Sequence, residues 1–299
     1  MPIRPLNLGD ILTGTFQLFR FNIKPTLAYS ALVTIFINII FLPLTVFFSA
    51  QLSSYIPENV KTNQSAGMHT LFLFSAAPTT IATALLVPAL TYVTLQAVLG
   101  NKVTISETWK TIKGTVLTYI SAVIILGILL SLIFVIVVVE AFAIYTTTGS
   151  DSITIITTLA SLFVATIFYI FLAVRFIFTG PTVVLERRSV FAALKRSWQL
   201  TKGNEWRIFG ITLLGSLLIA FVMNVVLVPL TVAFTLLPII LGTKGSSAAV
   251  ITTLITSLSS IISNIVTAPW NNALTTLLYT DVRFRDEAYD LELLKQLTK

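Results

Sequence analysis

The chain has 299 residues, of which 56% are hydrophobic and only 10% charged, against soluble averages of about half apolar and about a quarter charged. That composition excludes an ordinary soluble domain, and the absence of cysteine excludes disulfides and thiolate metal sites. The net charge of +7 follows the loops between apolar runs, so it points to anionic lipid headgroups and not to nucleic acid.

The first element is amphipathic, over residues 8–23. Leu12, Phe16, Phe19 and Ile23 fall at helical spacing, with Thr13, Gln17, Arg20 and Lys24 one position behind each. Apolar runs follow at about 26–50 and 70–99. The first is too long for a signal core and offers Phe48 where a cleavage site needs a small residue, so no cleavable signal is expected. A second amphipathic stretch, 104–114, carries Ile105, Trp109 and Ile112 beside Lys110 and Lys113, and leads into runs at 116–145 and 152–178. A third, 189–202, carries Phe191, Leu194 and Trp198 with Lys195, Arg196 and Lys202; runs at 207–241 and 248–280 follow. The fifth run is long, and Pro229 and Pro238 should bend it or end it early. The tail, 287–298, has a fourth stripe of Ala288, Leu291, Leu294 and Leu297. Thr104-Ile-Ser-Glu107 has capping-box spacing, whereas Asn7-x-x-Asp10 and Ser189 read as weaker caps. Each apolar run is long enough for about 30 Å of hydrocarbon. The aromatic–basic stretches are too short to span and suit the interface.

An internal repeat organises these elements. Residues 38–48 read NIIFLPLTVFF and 224–234 read NVVLVPLTVAF. Phe16, Trp109 and Trp198 align, as do Arg20, Lys113 and Lys202, and Pro88 matches Pro269. The middle copy lacks the Asn-Pro pair and has Val and Ile instead. The expected fold is an all-α membrane protein with six transmembrane helices arranged as three parallel two-helix repeats. Each repeat begins with a cytoplasmic interfacial amphipathic helix, and a fourth such helix closes the C-terminus. The units run over about 8–102, 103–188 and 189–286, with the last helix at 287–299, all within one integral membrane domain, 1–299. Of the 19 Lys and Arg residues, 17 fall before, between or after the spans on one side; only Lys61 and Lys244 fall on the other. The positive-inside rule then gives a multi-pass chain with both termini cytoplasmic and residues 51–69, 146–151 and 242–248 outside.

Candidate polar positions follow from this layout. Asn38 and Asn224 each sit near mid-span, five residues before a proline whose ring frees a carbonyl one turn back. Asn264, Asn271 and Asn272 cluster about Pro269. These amides either pack neighbouring helices together or line a polar cavity between units. Asn38 and Asn224 are expected to face other helices and not lipid. Glu140 and Arg175 are the ionisable residues nearest the bilayer, either functional or snorkelling toward opposite leaflets, and they are not expected to pair. Arg20, Lys24, Lys113, Arg187, Arg188, Lys195, Arg196, Trp198 and Lys202 are candidates for headgroup or partner contact. His69 reads as a solvated loop residue. No catalytic, cofactor-binding or metal-ligating set is recognisable.

Three segments carry a family resemblance: RPLNLGDILTGTFQLFRFNIKPTL, VVLERRSVFAALKRSWQLTKGNEWRIFGI and LLYTDVRFRDEAYDLELL. They resemble the membrane domain of bacterial glycerophosphodiester phosphodiesterases, most of all as it occurs alone in actinobacterial integral membrane proteins. In the two-part members of that family, hydrolysis belongs to a separate soluble barrel. Only nineteen residues follow Thr280 here, whereas such a barrel needs about 250. The resemblance therefore implies an accessory or anchoring role and not the hydrolytic activity. The functional expectation is a non-enzymatic scaffold or accessory subunit for cell-envelope or lipid-handling machinery, with a membrane-protein partner. The alternative is a transporter or lipid-moving protein with a polar site between the repeats.

Overall fold

A computed structural model describes residues 6–55, 65–240, 242 and 246–287, without the side chains of 49–55, 65–77, 239, 246 and 249. Lys61, Lys244, the His69 side chain and the expected fourth interfacial helix lie outside what is described. All the described secondary structure is helical, as α1 (Leu8–Phe21), α2 (Ile23–Tyr55), α3 (Ser65–Val98), α4 (Ile105–Thr148), α5 (Asp151–Arg175), α6 (Thr179–Leu185), α7 (Val190–Thr201), α8 (Glu205–Thr235), α9 (Leu237–Ile240) and α10 (Ser246–Glu287). Among the described residues, six helical stretches are long and apolar enough to cross a membrane: Ile23–Phe48, Pro78–Val98, Ile105–Thr148, Asp151–Leu185, Glu205–Thr235 and Val250–Glu287. Large apolar side chains stand exposed along them, such as Ile136, Val138 and Phe142 on α4 and Phe221 and Val225 on α8. A soluble surface does not carry apolar area on this scale, and lipid is the solvent that suits it. The chain is a multi-pass membrane protein.

The amphipathic stretches end in different ways. Asn7 caps α1 with a full capping box: its Oδ1 accepts from the Asp10 N–H at 2.8 Å, and its own N–H donates to Asp10 Oδ2 at 3.2 Å. This is the cap that sequence reading ranked lower. At Thr104 only one half forms, with the Glu107 N–H donating to Oγ1 at 3.3 Å, and Ser189 makes no side-chain cap bond. Asn22 breaks the helix between α1 and α2, and Lys202–Asn204 separate α7 from α8. The expected separate helix at 104–114 is corrected: α4 runs unbroken from Ile105 to Thr148, because neither Pro nor a left-handed residue interrupts it. Likewise α10 continues through Glu287 without a break after residue 280. Helix α8 stops at Thr235; Pro238 lacks the N–H that would extend its ladder.

Helices group into two compact units. Of the described residues, one holds those within 6–111 and 212–277, the other those within 112–211 and 278–287. In the first, α1 packs through Ile11, Gly14, Thr15 and Leu18, while Phe16, on the expected apolar stripe, stays 56% exposed. Leu18 meets Ala97, Val98 and Leu277, and Leu86 and Leu90 meet Ala268 and Val33. In the second unit, α6 is an element missing from the sequence expectation. Every residue from Thr179 to Val184 is buried, in a segment between the apolar run ending at 178 and the amphipathic stretch starting at 189.

Candidate functional site

Polar chemistry gathers in two places, one in each unit. In the first unit it forms a seam. Asn264 on α10 accepts from Thr34 Oγ1 on α2 at 3.3 Å and donates to Thr83 Oγ1 on α3 at 3.3 Å. Two turns further on, the Asn272 amide donates to Thr91 Oγ1 at 3.1 Å and to the Val87 carbonyl at 3.4 Å. The Thr276 hydroxyl donates to Asn272 Oδ1 at 3.5 Å. Trp270 Nε1 donates to the Gly215 carbonyl on α8 at 3.0 Å, and Ser216 donates to Asn271 Oδ1 at 3.3 Å. Hydroxyls and amides thus join α10 to α2, α3 and α8, as polar residues do where no water competes. Both α3–α10 pairs, Thr83 with Asn264 and Thr91 with Asn272, are separated by 181 residues, the same spacing as Pro88 to Pro269. The two pairs keep their order along both helices, so α3 and α10 run parallel across the seam.

The Asn-Pro pair behaves asymmetrically. Asn38 is buried, 5% exposed, and its amide donates to the Thr34 carbonyl at 2.8 Å. Asn224 makes the equivalent bond to the Ala220 carbonyl at 2.8 Å, but it is exposed. The expectation that both face other helices is therefore corrected for Asn224. The bond to the carbonyl four residues back pairs one of the two amide N–H groups within its own helix, which lowers the cost of standing on the outer surface. Neither amide bonds the carbonyl freed by its proline.

The second unit carries a corner of ion pairs. Its frame is backbone capture by hydroxyls: the Phe178 N–H donates to Ser197 Oγ at 3.2 Å, and Ser197 Oγ donates to the Arg175 carbonyl at 2.9 Å. Thr182 Oγ1 donates to the Ala193 carbonyl at 3.3 Å. These bonds lock α7 onto the chain from Arg175 to Thr182. Arg187, at φ 50°, makes the left-handed turn that ends α6. The turn brings Glu186 to Arg188 at 2.6 Å, Arg196 at 3.1 Å and the Tyr279 hydroxyl, which donates at 2.7 Å. Arg196 reaches on to Glu287 at 2.7 Å, which also takes Arg283 at 2.9 Å. Asp281, fully buried, holds Arg207 at 2.6 Å and Arg285 at 3.2 Å. Burial alone would push the Glu186 carboxyl up, but hydrogen bonds from Tyr279, Arg188 and Arg196 outweigh it and hold the group below the usual carboxylate range. Arg196 is held more firmly charged than usual: burial opposes the charge, and the Glu287 and Glu186 bonds overcome it.

The sequence candidates separate accordingly. Arg196 turns inward to carboxylates and Arg188 pairs with Glu186 while staying exposed, whereas Arg187, Lys195 and Lys202 are exposed with no ion pair among the described residues. Arg20, Lys24 and Lys113 are exposed as well. Trp198 is 38% exposed and lies under the Arg175 guanidinium, 4.7 Å from ring centroid to Cζ. Arg175 also pairs with Glu205 at 2.7 Å, a partner that sequence reading missed because the two lie on different helices. Glu140 is half-buried on α4, with no ion pair to Arg175 among the described residues. Among the described residues no group of three or more His, Cys, Asp or Glu is placed to share a metal ion.

The family model described as the membrane domain of glycerophosphoryl diester phosphodiesterase matches residues 144–297. That range contains the whole ion-pair corner. No curated protein and no solved structure matches the chain.

Proposed function

The chain belongs to the family of the membrane domain of glycerophosphoryl diester phosphodiesterase, and on that premise we propose a non-enzymatic scaffold or accessory subunit for cell-envelope or lipid-handling machinery. The observation that carries this reading is the division of charge at the corner. Five arginines, at 188, 196, 207, 283 and 285, are spent on carboxylates of the same unit. The exposed side of α7 keeps Phe191, Lys195, Trp198 and Lys202. A fixed platform with an aromatic–basic outer face suits seating on anionic lipid and docking of a membrane-protein partner.

The three-repeat architecture belongs to the same proposal. The constant 181-residue spacing across the α3–α10 seam supports it, since equivalent residues of two parallel repeats meet at an axis along the membrane normal. So do Thr15, Thr108 and Ser197. Each is 0% exposed and each directly precedes one of the aligned aromatics Phe16, Trp109 and Trp198. Cytoplasmic termini and a bacterial plasma membrane complete the reading. The alternative, transport through a polar site between repeats, draws on the same seam. There the amides of Asn264 and Asn272 are taken up by threonines of facing helices, an arrangement that favours packing.

Photo-crosslinking from positions 195 and 198 in native membranes tests the platform. The proposal expects one discrete protein adduct. Lipid adducts alone, equal to those from a residue such as Ile136 on α4, would contradict docking.

A further inference from the structure

Beside the platform, the second unit has a cavity of about 420 Å³ between α5 and the start of α8, lined by Ile167, Ile170, Phe171, Val174, Trp206 and Phe209, with Glu205 as the one charged lining residue. Its volume lies within the range of small-ligand sites, about 300–1,000 Å³. The lining is apolar over two turns of α5. From Ile167 to Val174 is seven residues, about 10 Å along the helix, which suits the upper part of an extended acyl chain. At one end the character changes. Glu205 meets Arg175, the residue after Val174, at 2.7 Å. Arg175 is a donor-only group, and its Nε and Nη1 are buried without a hydrogen-bond partner, although Trp198 and Phe171 cover its faces at 4.7 and 5.2 Å. Both nitrogens are closed off from the groove, so the pair shows it the Glu205 carboxylate, backed by the guanidinium charge. At the same end the Trp206 indole is 85% exposed, an aromatic face beside a carboxylate.

We propose that this groove holds one phospholipid with a zwitterionic, amine-bearing headgroup such as phosphatidylethanolamine, its acyl chain along α5 and its headgroup at the Arg175–Glu205 pair. Charge complementarity selects the occupant. The pair is neutral overall but polarised, with the carboxylate turned to the groove and the guanidinium behind it. An ammonium lies against Glu205 and the exposed Trp206 ring, while the guanidinium charge offsets the phosphate attached to it. A purely anionic headgroup has no ammonium for Glu205 and meets that carboxylate unfavourably. Zwitterionic lipid here and anionic lipid at Lys195 and Lys202 are thus separate sites. The groove assignment does not depend on the scaffold reading.

Native mass spectrometry of the purified chain, titrated with phosphatidylethanolamine or phosphatidylglycerol of identical acyl chains, tests this. We expect a single phosphatidylethanolamine to be retained roughly tenfold more tightly than phosphatidylglycerol. Ile167→Trp and Ile170→Trp fill the groove from positions that already face outward, 54% and 38% exposed; each should lower that affinity roughly tenfold with an unchanged unfolding midpoint. Glu205→Gln should bring the two lipids to within about twofold of each other. Equal retention of both lipids by the wild type overturns the assignment, as does undiminished phosphatidylethanolamine binding in both tryptophan variants.

Discussion

Replacing asparagine by leucine should have opposite consequences at Asn272 and Asn224, two amides within the apolar runs. Asn272 is 7% exposed and donates to two acceptors on α3, Thr91 Oγ1 and the Val87 carbonyl. Interhelical bonds of this kind contribute about 0.6 kcal/mol on average and about 1.7 at most within membranes. Losing two, and leaving Thr91 and Thr276 to find other acceptors, should cost about 1–3 kcal/mol. Asn224 donates only to the Ala220 carbonyl of its own helix and stands on the outer surface. A leucine there removes an amide from lipid and restores an ordinary helical turn, so Asn224→Leu should be neutral or stabilise by up to about 1 kcal/mol. A difference of about 2 kcal/mol is roughly a thirtyfold change in the unfolding equilibrium, well within reach of dodecyl sulfate titration in mixed micelles followed by tryptophan fluorescence. Asn224→Leu destabilising as much as Asn272→Leu would refute the assignment of one residue to a seam and the other to lipid.

Gly215→Val should destabilise by about 1–3 kcal/mol, because any Cβ at Gly215 runs into the Leu274 side chain; a scan of unfolding midpoints checks it. Glu186 should make stability fall in acid. Its folded carboxyl lies below the usual range, so its contribution is present above the unfolded value of about 4.3 and is lost as pH falls through the folded one. Glu186→Gln should flatten that limb of a pH–stability profile and cost about 1.5–3 kcal/mol at neutral pH. Trp198→Ala should remove the cover over Arg175 and cost about 0.5–2 kcal/mol, and Trp198→Phe should recover part of it in the same assay. For topology, a cysteine at position 188 of this cysteine-free chain should react only after the membrane is permeabilised; reaction in intact cells would invert the orientation.

Number and approximate position of the apolar helices were legible because hydrophobic length is what a bilayer demands. The protein-facing side of each helix was not, and α1 makes the reason plain. Periodicity picked out Leu12, Phe16, Phe19 and Ile23, yet the packed face is Ile11, Gly14, Thr15 and Leu18. In water an apolar stripe marks the side turned inward. Against lipid both sides are apolar, and small or hydroxyl residues mark the packed one. Thr15, Thr108 and Ser197 carried that signal in register with the aligned aromatics. The corner was hidden for another reason: Glu186 finds Tyr279 93 residues away, and Arg196 finds Glu287 91 residues away. A basic loop read alone gives no sign of carboxylates arriving from the end of α10. Asn38 and Asn224 shared a motif but not an environment, since an amide bonded within its own helix can face either way.

Purification of the chain from its native membranes, with quantitation of everything that travels with it, tests the scaffold proposal most directly. The account predicts a membrane protein at fixed stoichiometry, released when Phe191 and Lys195 on α7 and Lys202 at its end are replaced together by alanine, glutamate and glutamate. Recovery of the chain without any stoichiometric protein, but with phosphodiester hydrolysis of its own, would contradict it.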